Sequence, residues 1–353
     1  MGDDALDRDA RIKLSIGTKE DGDDDGMFHV PRGLVFDPHR GLLLVVDTNN
    51  HRVQVFSCDG DDDGGSFVSK LSKQGNKPGR LNYPVGSAID HDHDRILITD
   101  TTNGRVQSWS LRNQSFLSCT DQCESGDLEF RSPQAISIDK HHHRIIIADT
   151  GNHRLVFLSS IDLSFLFSVG KQGSQPGEFS LPQGVAIDHD RHRIIVSDSG
   201  NSRVQVLSLI DGSFLFEFGE EGNQPCQLDY PQEVCVDNQG RIIVADFSNH
   251  RLQAFTPEGH HISSLDCGRE KPSGVAFDEH RGLIAFSAGN RVHVIGANQW
   301  LAATFTWRPD RHRYAPSSMK QAVSTMTMIR SLVDDSAMSM IPNELLFEIF
   351  SYL

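Results

Sequence analysis

Four groups of residues in this chain have the types and spacings for chemistry. The first is a pair of acidic runs, Asp21-Gly22-Asp23-Asp24-Asp25-Gly26 and Asp59-Gly60-Asp61-Asp62-Asp63-Gly64. Each matches the first half of a calcium loop, where alternate carboxylates surround a hard cation and a Gly makes the sharp turn. The acidic ligand due at the twelfth position is Arg32 in one run and Lys70 in the other, so solvated turns are expected. The second group is His39, His91, His93, His141, His142, His143, His189, His192 and His280, all in short turns between apolar runs. Gathered on one rim, they would offer imidazoles to an adventitious metal or gain charge below about pH 6.5. Exposed turns that tolerate any polar residue are the plainer reading. The third group, Lys73, Lys77 and Arg80, could grip a few phosphates with strong salt dependence. The fourth is the cysteines, Cys58, Cys119, Cys123, Cys226, Cys235 and Cys267, which contain no Cys-x-x-Cys pair and read as reduced thiols. No Gly-x-Ser-x-Gly elbow, phosphate loop or His-Glu-x-x-His occurs. No catalytic residue, metal or cofactor is expected.

These groups hang on a repeat. Asp149-Thr150-Gly151-Asn152-His153-Arg154 has counterparts beginning at Asp47, Asp100, Asp198 and Asp246. A sixth copy, Ser287-Ala288-Gly289-Asn290-Arg291, lacks the Asp and one residue. The leading positions lie 53, 49, 49, 48 and 41 residues apart, a period that marks a repeat architecture. Each unit holds four short runs rich in β-branched and aromatic residues; in the fourth unit they are 184–188, 193–198, 203–207 and 214–219. A four-stranded antiparallel sheet this small cannot bury both faces, but six packed radially can. Small residues in the first run (Ala88, Ala135, Ala186, Ala276) suit a crowded inner strand, and Phe165, Phe167, Phe214 and Phe216 in the fourth suit a wide outer edge. The Asp-x-x-Asn-x-Arg element is expected to be architectural. Its Asp and Asn bond turn amides, and its Arg pairs with an Asp of its own or the next sheet.

The patterns Pro-x-Gly-Val-Ala-Ile-Asp, Ile-Ile-Val-x-Asp-x-x-Asn-x-Arg-Val-Gln-Val and Phe-Leu-Phe-x-Phe-Gly resemble NHL repeats. The resemblance implies an all-β fold, a six-bladed NHL-type β-propeller over residues 11–307; beyond it a short α-helical C-terminal tail is expected over 308–353. It also implies ligand binding on the rim that bears the Asp-x-x-Asn-x-Arg turns. Irregular residues there are the candidate partner contacts: Arg32, His51, Tyr83, Gln134, Gln183, Gln232 and Phe247. Phe247 stands where other copies carry Thr or Ser. Peptide-amidating lyases resemble this fold and hold zinc with His at the channel mouth. The matching positions here, after each Pro, are Arg32, Val85, Gln134, Gln183, Gln232 and Ser273, none of them a zinc ligand of that kind. RNA-binding relatives among the tripartite-motif NHL proteins need a broadly basic surface, and this rim alternates acidic and basic connections.

A formal charge of −15 argues against phosphate backbone as the main partner. No apolar leader pattern opens the chain and no run approaches a membrane span, so a cytoplasmic protein is expected. Residues 1–10 are polar and expected to be disordered. Residues 11–17 copy the fourth-run pattern and compete with 300–306 as the strand that closes the ring. In the tail, Met319, Ala322, Met326, Ile329 and Val333 form one helical stripe behind a Ser317 or Ser318 cap, and Pro342 opens a second helix. The stretch 340–353 resembles the opening of an F-box. That implies docking to the adaptor of a cullin-type ubiquitin ligase through Pro342, Leu345, Leu346, Ile349, Phe350 and Leu353. The expected function is a non-catalytic protein-binding propeller, a scaffold or a substrate receptor for ubiquitin ligation. An RNA-binding propeller and a metal-dependent lyase or hydrolase are the alternatives.

Overall fold

Six four-stranded antiparallel sheets stand around a central channel. The computed structural model describes residues 12–58, 65–120 and 129–302, which belong to one unit, Met1–Ala303. The first blade runs outward through Pro31–Asp37, Leu42–Asp47, Arg52–Ser57 and Ser66–Leu71, and the second to fifth repeat that order. The sixth takes Pro272–Asp278, Leu283–Ala288 and Arg291–Gly296 from its own repeat and borrows Ile12–Gly17 as its outer strand. The N-terminal strand therefore closes the ring. Trp300, on the competing segment, lies fully buried in a short helix, Ala297–Ala302.

Each blade buries its apolar faces against its neighbours. Leu97 and Val106 of blade two meet Ile136, Ile145 and Ile147 of blade three, and five similar clusters fill the other seams. Blades six and one share Ala276, Ala285 and Val292 with Leu34, Leu43 and Phe56, so the ring is sealed by packing as well as by the borrowed strand. These seams supply the hydrophobic stabilisation that a lone sheet cannot.

The repeated Asp is the hub of each upper turn. Asp198, fully buried, accepts from Ser180 N, Asn201 Nδ2, Arg203 Nε and Gln205 Nε2. Arg203 and Asn201 also donate to carbonyls of the 173–178 connection, which is thereby clamped to its own blade. The Arg thus pairs within its own sheet. In blade six the register Pro272↔Ala288 and Ala288↔Arg291 puts Ala288, not Ser287, in the Asp position. The turn there shrinks to Gly289-Asn290, with Gly289 at φ 60°.

A second set of bonds ties blade to blade. In blades two to four the Thr or Ser after the Asp donates to the carbonyl of the Pro that opens the next blade: Thr101 to Pro133 at 2.7 Å, Thr150 to Pro182 at 2.6 Å, and Ser199 to Pro231, whereas the Thr48 hydroxyl of blade one makes no such bond. Phe247 breaks this series between blades five and six. Its ring instead lies 4.8 Å beneath the Lys271 ammonium, a cation–π contact on the next blade.

Candidate functional site

The upper face converges on the channel. Every inner strand carries a β-bulge between its opening Pro and the third residue beyond, as in Pro31/Leu34 and Pro231/Val234. Bulges re-aim side chains, and here the residue after each Pro lines the channel mouth: Arg32, Val85, Gln134, Gln183, Gln232 and Ser273. Four of the seven candidate partner contacts, Arg32, Gln134, Gln183 and Gln232, are thus brought together. The mouth leaves only about 10 Å³, the room of a single water-sized group, above a channel of about 300 Å³.

Arg32 is the only cation of the ring. Its Nη1 donates to Gln134 Oε1 at 3.3 Å, and among the described residues no carboxylate lies within ion-pair distance of it. Burial lowers its pKa, while Tyr230 and Glu233 raise it; a guanidinium stays charged under such pressure.

Glu233 is the residue that motif reading missed. It lines both the mouth and the channel below. The same place in the other blades is Gly33, Gly86, Ala135, Gly184 and Gly274. A Cβ on Gly33 would stand 2.1 Å from the Val85 carbonyl, and one on Gly274 would stand 1.7 Å from that of Arg32. Crowding therefore explains the Gly series, and blade five departs from it with a carboxyl group. Burial pushes that carboxyl up to about 8, opposed by the Val234 and Val185 amides and the Arg32 charge. Aligning the Pro-x-Gly triplets alone would have exposed this residue.

Around the mouth stands a second ring, the residues just before each Pro. Val30, Tyr83, Ser132, Leu181 and Tyr230 all adopt left-handed backbone, with φ between 49° and 55°. For Val and Leu that conformation is strained. It is held by bonds from the preceding blade: Val30 N to Asn290 Oδ1, Tyr83 N to His51 Nδ1 and Leu181 N to His153 Nδ1, each 3.0–3.1 Å. Tyr83 is 45% exposed and Val30 37%. His51 is buried, and burial lowers its pKa, which suits the neutral ring that accepts the Tyr83 amide. It positions Tyr83, whose ring it meets edge-on at 4.5 Å, rather than reaching out itself. Phe247 is half-buried against Lys271, outside the mouth.

The remaining groups fall elsewhere. Lys73 and Lys77 are exposed on their connection, with Arg80 half-buried. Lys70, the second acidic run's twelfth position, pairs with Asp25 at 2.6 Å, while carbonyls of Asp23 and Asp24 accept from Arg52. The acidic run 59–64 lies outside the described residues, as do Pro342, Leu345, Leu346, Ile349, Phe350 and Leu353 and the whole F-box-like stretch. On the lower rim His39 meets His91 at 4.6 Å and His280 at 5.3 Å, gathering three blades, and His93 and His142 bond the Asp90 and Asp139 carboxylates. Among the described residues no group of three or more His, Cys, Asp and Glu comes close enough to hold a metal ion. Nor is any described helix long and apolar enough to cross a membrane.

Comparison with known proteins places this architecture. The NHL repeat profile matches residues 28–56, 179–207 and 228–255, so the chain is a six-bladed propeller that carries NHL repeats. No curated protein sequence matches it. Among solved structures it is similar to a gluconolactonase from Xanthomonas campestris, at 16% identity and TM-score 0.57 over 75% of this chain and 85% of that one. A luciferin-regenerating enzyme aligns at 12% identity and TM-score 0.58 over 80% and 95%. A nidogen/laminin complex aligns at 17% identity and TM-score 0.53 over 67% and 80%. Identities this low establish the fold. They also correct the expectation that this chain is not an enzyme. The gluconolactonase and the luciferin-regenerating enzyme are catalytic propellers of the same build, so a lack of catalytic motifs gives no ground for that exclusion. In a propeller, polar groups from different blades meet at the axis without being neighbours in sequence, as Arg32 and Glu233 do here.

Proposed function

We infer that the upper face is a docking surface for a protein partner, centred on the channel mouth. The observation that carries this reading is the strained ring of Val30, Tyr83, Leu181 and Tyr230 standing around a polar centre. Apolar and aromatic side chains around a few convergent polar groups are the usual make-up of a binding hot spot. Backbone strain held by inter-blade bonds at Val30, Tyr83 and Leu181 supports a display that is built rather than incidental. The nidogen/laminin structure is a propeller seen in a protein complex, which supports the class of partner. Use of the bound partner as cargo for a ubiquitin ligase rests on the sequence of 340–353 alone.

The test is photo-crosslinking in cell extract from a reactive amino acid placed at Tyr83, beside a version carrying it at His141 on the lower rim. The Tyr83 probe is expected to give discrete adducts that excess unlabelled chain competes away and that a Tyr230→Ala chain does not. Adducts from the His141 probe alone would move docking to the lower rim and end this reading.

A further inference from the structure

Arg32, Gln134 and Glu233 come from blades one, three and five, the alternate blades of the ring, and meet at its axis. The turn arginines around it are committed to carboxylates: Arg52 to Asp47, Arg95 to Asp90, Arg105 to Asp100, Arg203 to Asp198. Arg32 spends one N–H on a neutral amide at 3.3 Å and has no carboxylate within 4 Å among the described residues. A guanidinium held near a channel axis with four further N–H donors is a site short of an anion.

We propose that Arg32 recognises a carboxylate of the docked partner, and that this carboxylate is the C-terminus of the partner's chain. The inference rests on the docking reading above and adds its chemistry. Three features choose a chain end. The free room at the mouth, about 10 Å³, takes one carboxylate oxygen but no through-going chain. A single strand descending along the axis passes between Val30, Tyr83, Leu181 and Tyr230, whereas an internal acidic residue brings two chain arms through the same gap. The chain's charge of −15 repels acidic segments as a whole, so one terminal carboxylate on a neutral or basic segment is the acid this face favours. The side chains of Gln134, Gln183 and Gln232 line the same mouth and offer amide donors to the oxygen that enters it. Glu233 completes the pocket from below. Its burial keeps the carboxyl protonated at neutral pH, so that it adds a donor instead of a repelling charge.

The experiment immobilises the full chain and offers three pools of acetylated random hexapeptides. One ends in a free carboxylate, one in a carboxamide, and one in a carboxamide with a single internal Asp or Glu; the first two lack Asp and Glu. The free-acid pool is expected to be retained about ten-fold or more above the carboxamide pool, the range of a charge-assisted bond. That contrast should fall to within about two-fold in Arg32→Gln and survive in part in Arg32→Lys, each checked for an unchanged melting temperature. Preference for the internal-acid pool would overturn the chain-end assignment. Equal retention of all pools, or of none, would overturn carboxylate recognition. The docking reading fails separately: retention untouched by Tyr83→Ala and Tyr230→Ala would place peptide binding away from the ring.

Discussion

Arg32 of the first blade bonds Gln134 of the third, at 3.3 Å, over the head of the blade between them. Such a bond is only available at the axis of a ring, where inner strands come close enough for a long side chain to skip a neighbour. It makes the mouth a place where chemistry can be assembled from residues about a hundred positions apart, while the blades themselves stay interchangeable in build.

Glu233 gives this arrangement a pH signature. Its folded-state pKa, raised to about 8, lies above the ordinary carboxyl value of about 4.5. Between those values the folded chain holds a proton that the unfolded chain has released. Stability is therefore fullest below about pH 4.5 with respect to this group, and it declines as pH rises through 8. Glu233→Gln removes the titration. Urea unfolding at pH 5.5 and pH 8.5 should show the wild type losing at least about 2 kcal/mol more than the variant across that interval. Parallel pH profiles would show that the carboxyl ionises freely through the channel solvent.

The inter-blade bonds should be measurable one at a time. Thr150 Oγ1 donates to the Pro182 carbonyl at 2.6 Å with both groups buried. Thr150→Val keeps the shape and strands the carbonyl, which should cost about 1–2 kcal/mol by denaturant unfolding. A change within error would mean that water replaces the hydroxyl.

The hub Asp residues should matter more. Asp198 satisfies a backbone amide, an Asn, an Arg and a Gln at once, with no exposed surface. Asp198→Ala leaves the buried Arg203 with only the part-exposed Glu217 carboxylate, at 2.7 Å, as counter-ion and strands the Asn201 and Gln205 donors; it should cost about 2–4 kcal/mol. Blade six already folds with Ala288 in that position, but there the turn is two residues long and Asn290 turns outward to bond Val30 of blade one. A loss under about 1 kcal/mol for Asp198→Ala would show that the clamp is redundant.

Repetition is what made the fold legible. The Asp-x-x-Asn-x-Arg turns located every blade, because a hub that satisfies four donors tolerates little variation. The site was legible only where it broke a visible pattern in the right register. Arg32, Gln134, Gln183 and Gln232 stood out because they follow a Pro, and the structure brings them to one mouth. Glu233 did not, since a Gly series is read as backbone freedom rather than as crowding, and its exception went unmarked. His51 and Phe247 broke the pattern for structural reasons: one bonds the Tyr83 amide, the other replaces a Thr–carbonyl bond with a cation–π contact. The offset of the sixth copy by one residue was hidden because Ser287 mimics the residue class of Ser197, which occupies the preceding position in blade four.

The ring closure invites the most demanding test. Ile12–Gly17 pairs with Arg291–Gly296 and drives Ile16 into the seam between blades six and one, beside Phe28, Leu34 and Phe56. Ser15 Oγ also bonds His293 Nδ1 at 2.8 Å, across the whole length of the propeller sequence. Removing residues 1–17 would leave blade six a three-stranded sheet with an open edge and expose one side of that seam. The loss should lower the melting temperature by about 10 °C or more and broaden the transition, because the two terminal blades can then part before the others. Adding residues 11–17 back as a separate peptide should restore part of the loss by strand addition, in proportion to its concentration. A truncated chain that melts as sharply and as late as the whole one would mean that side-chain packing between blades six and one seals the propeller without its borrowed strand.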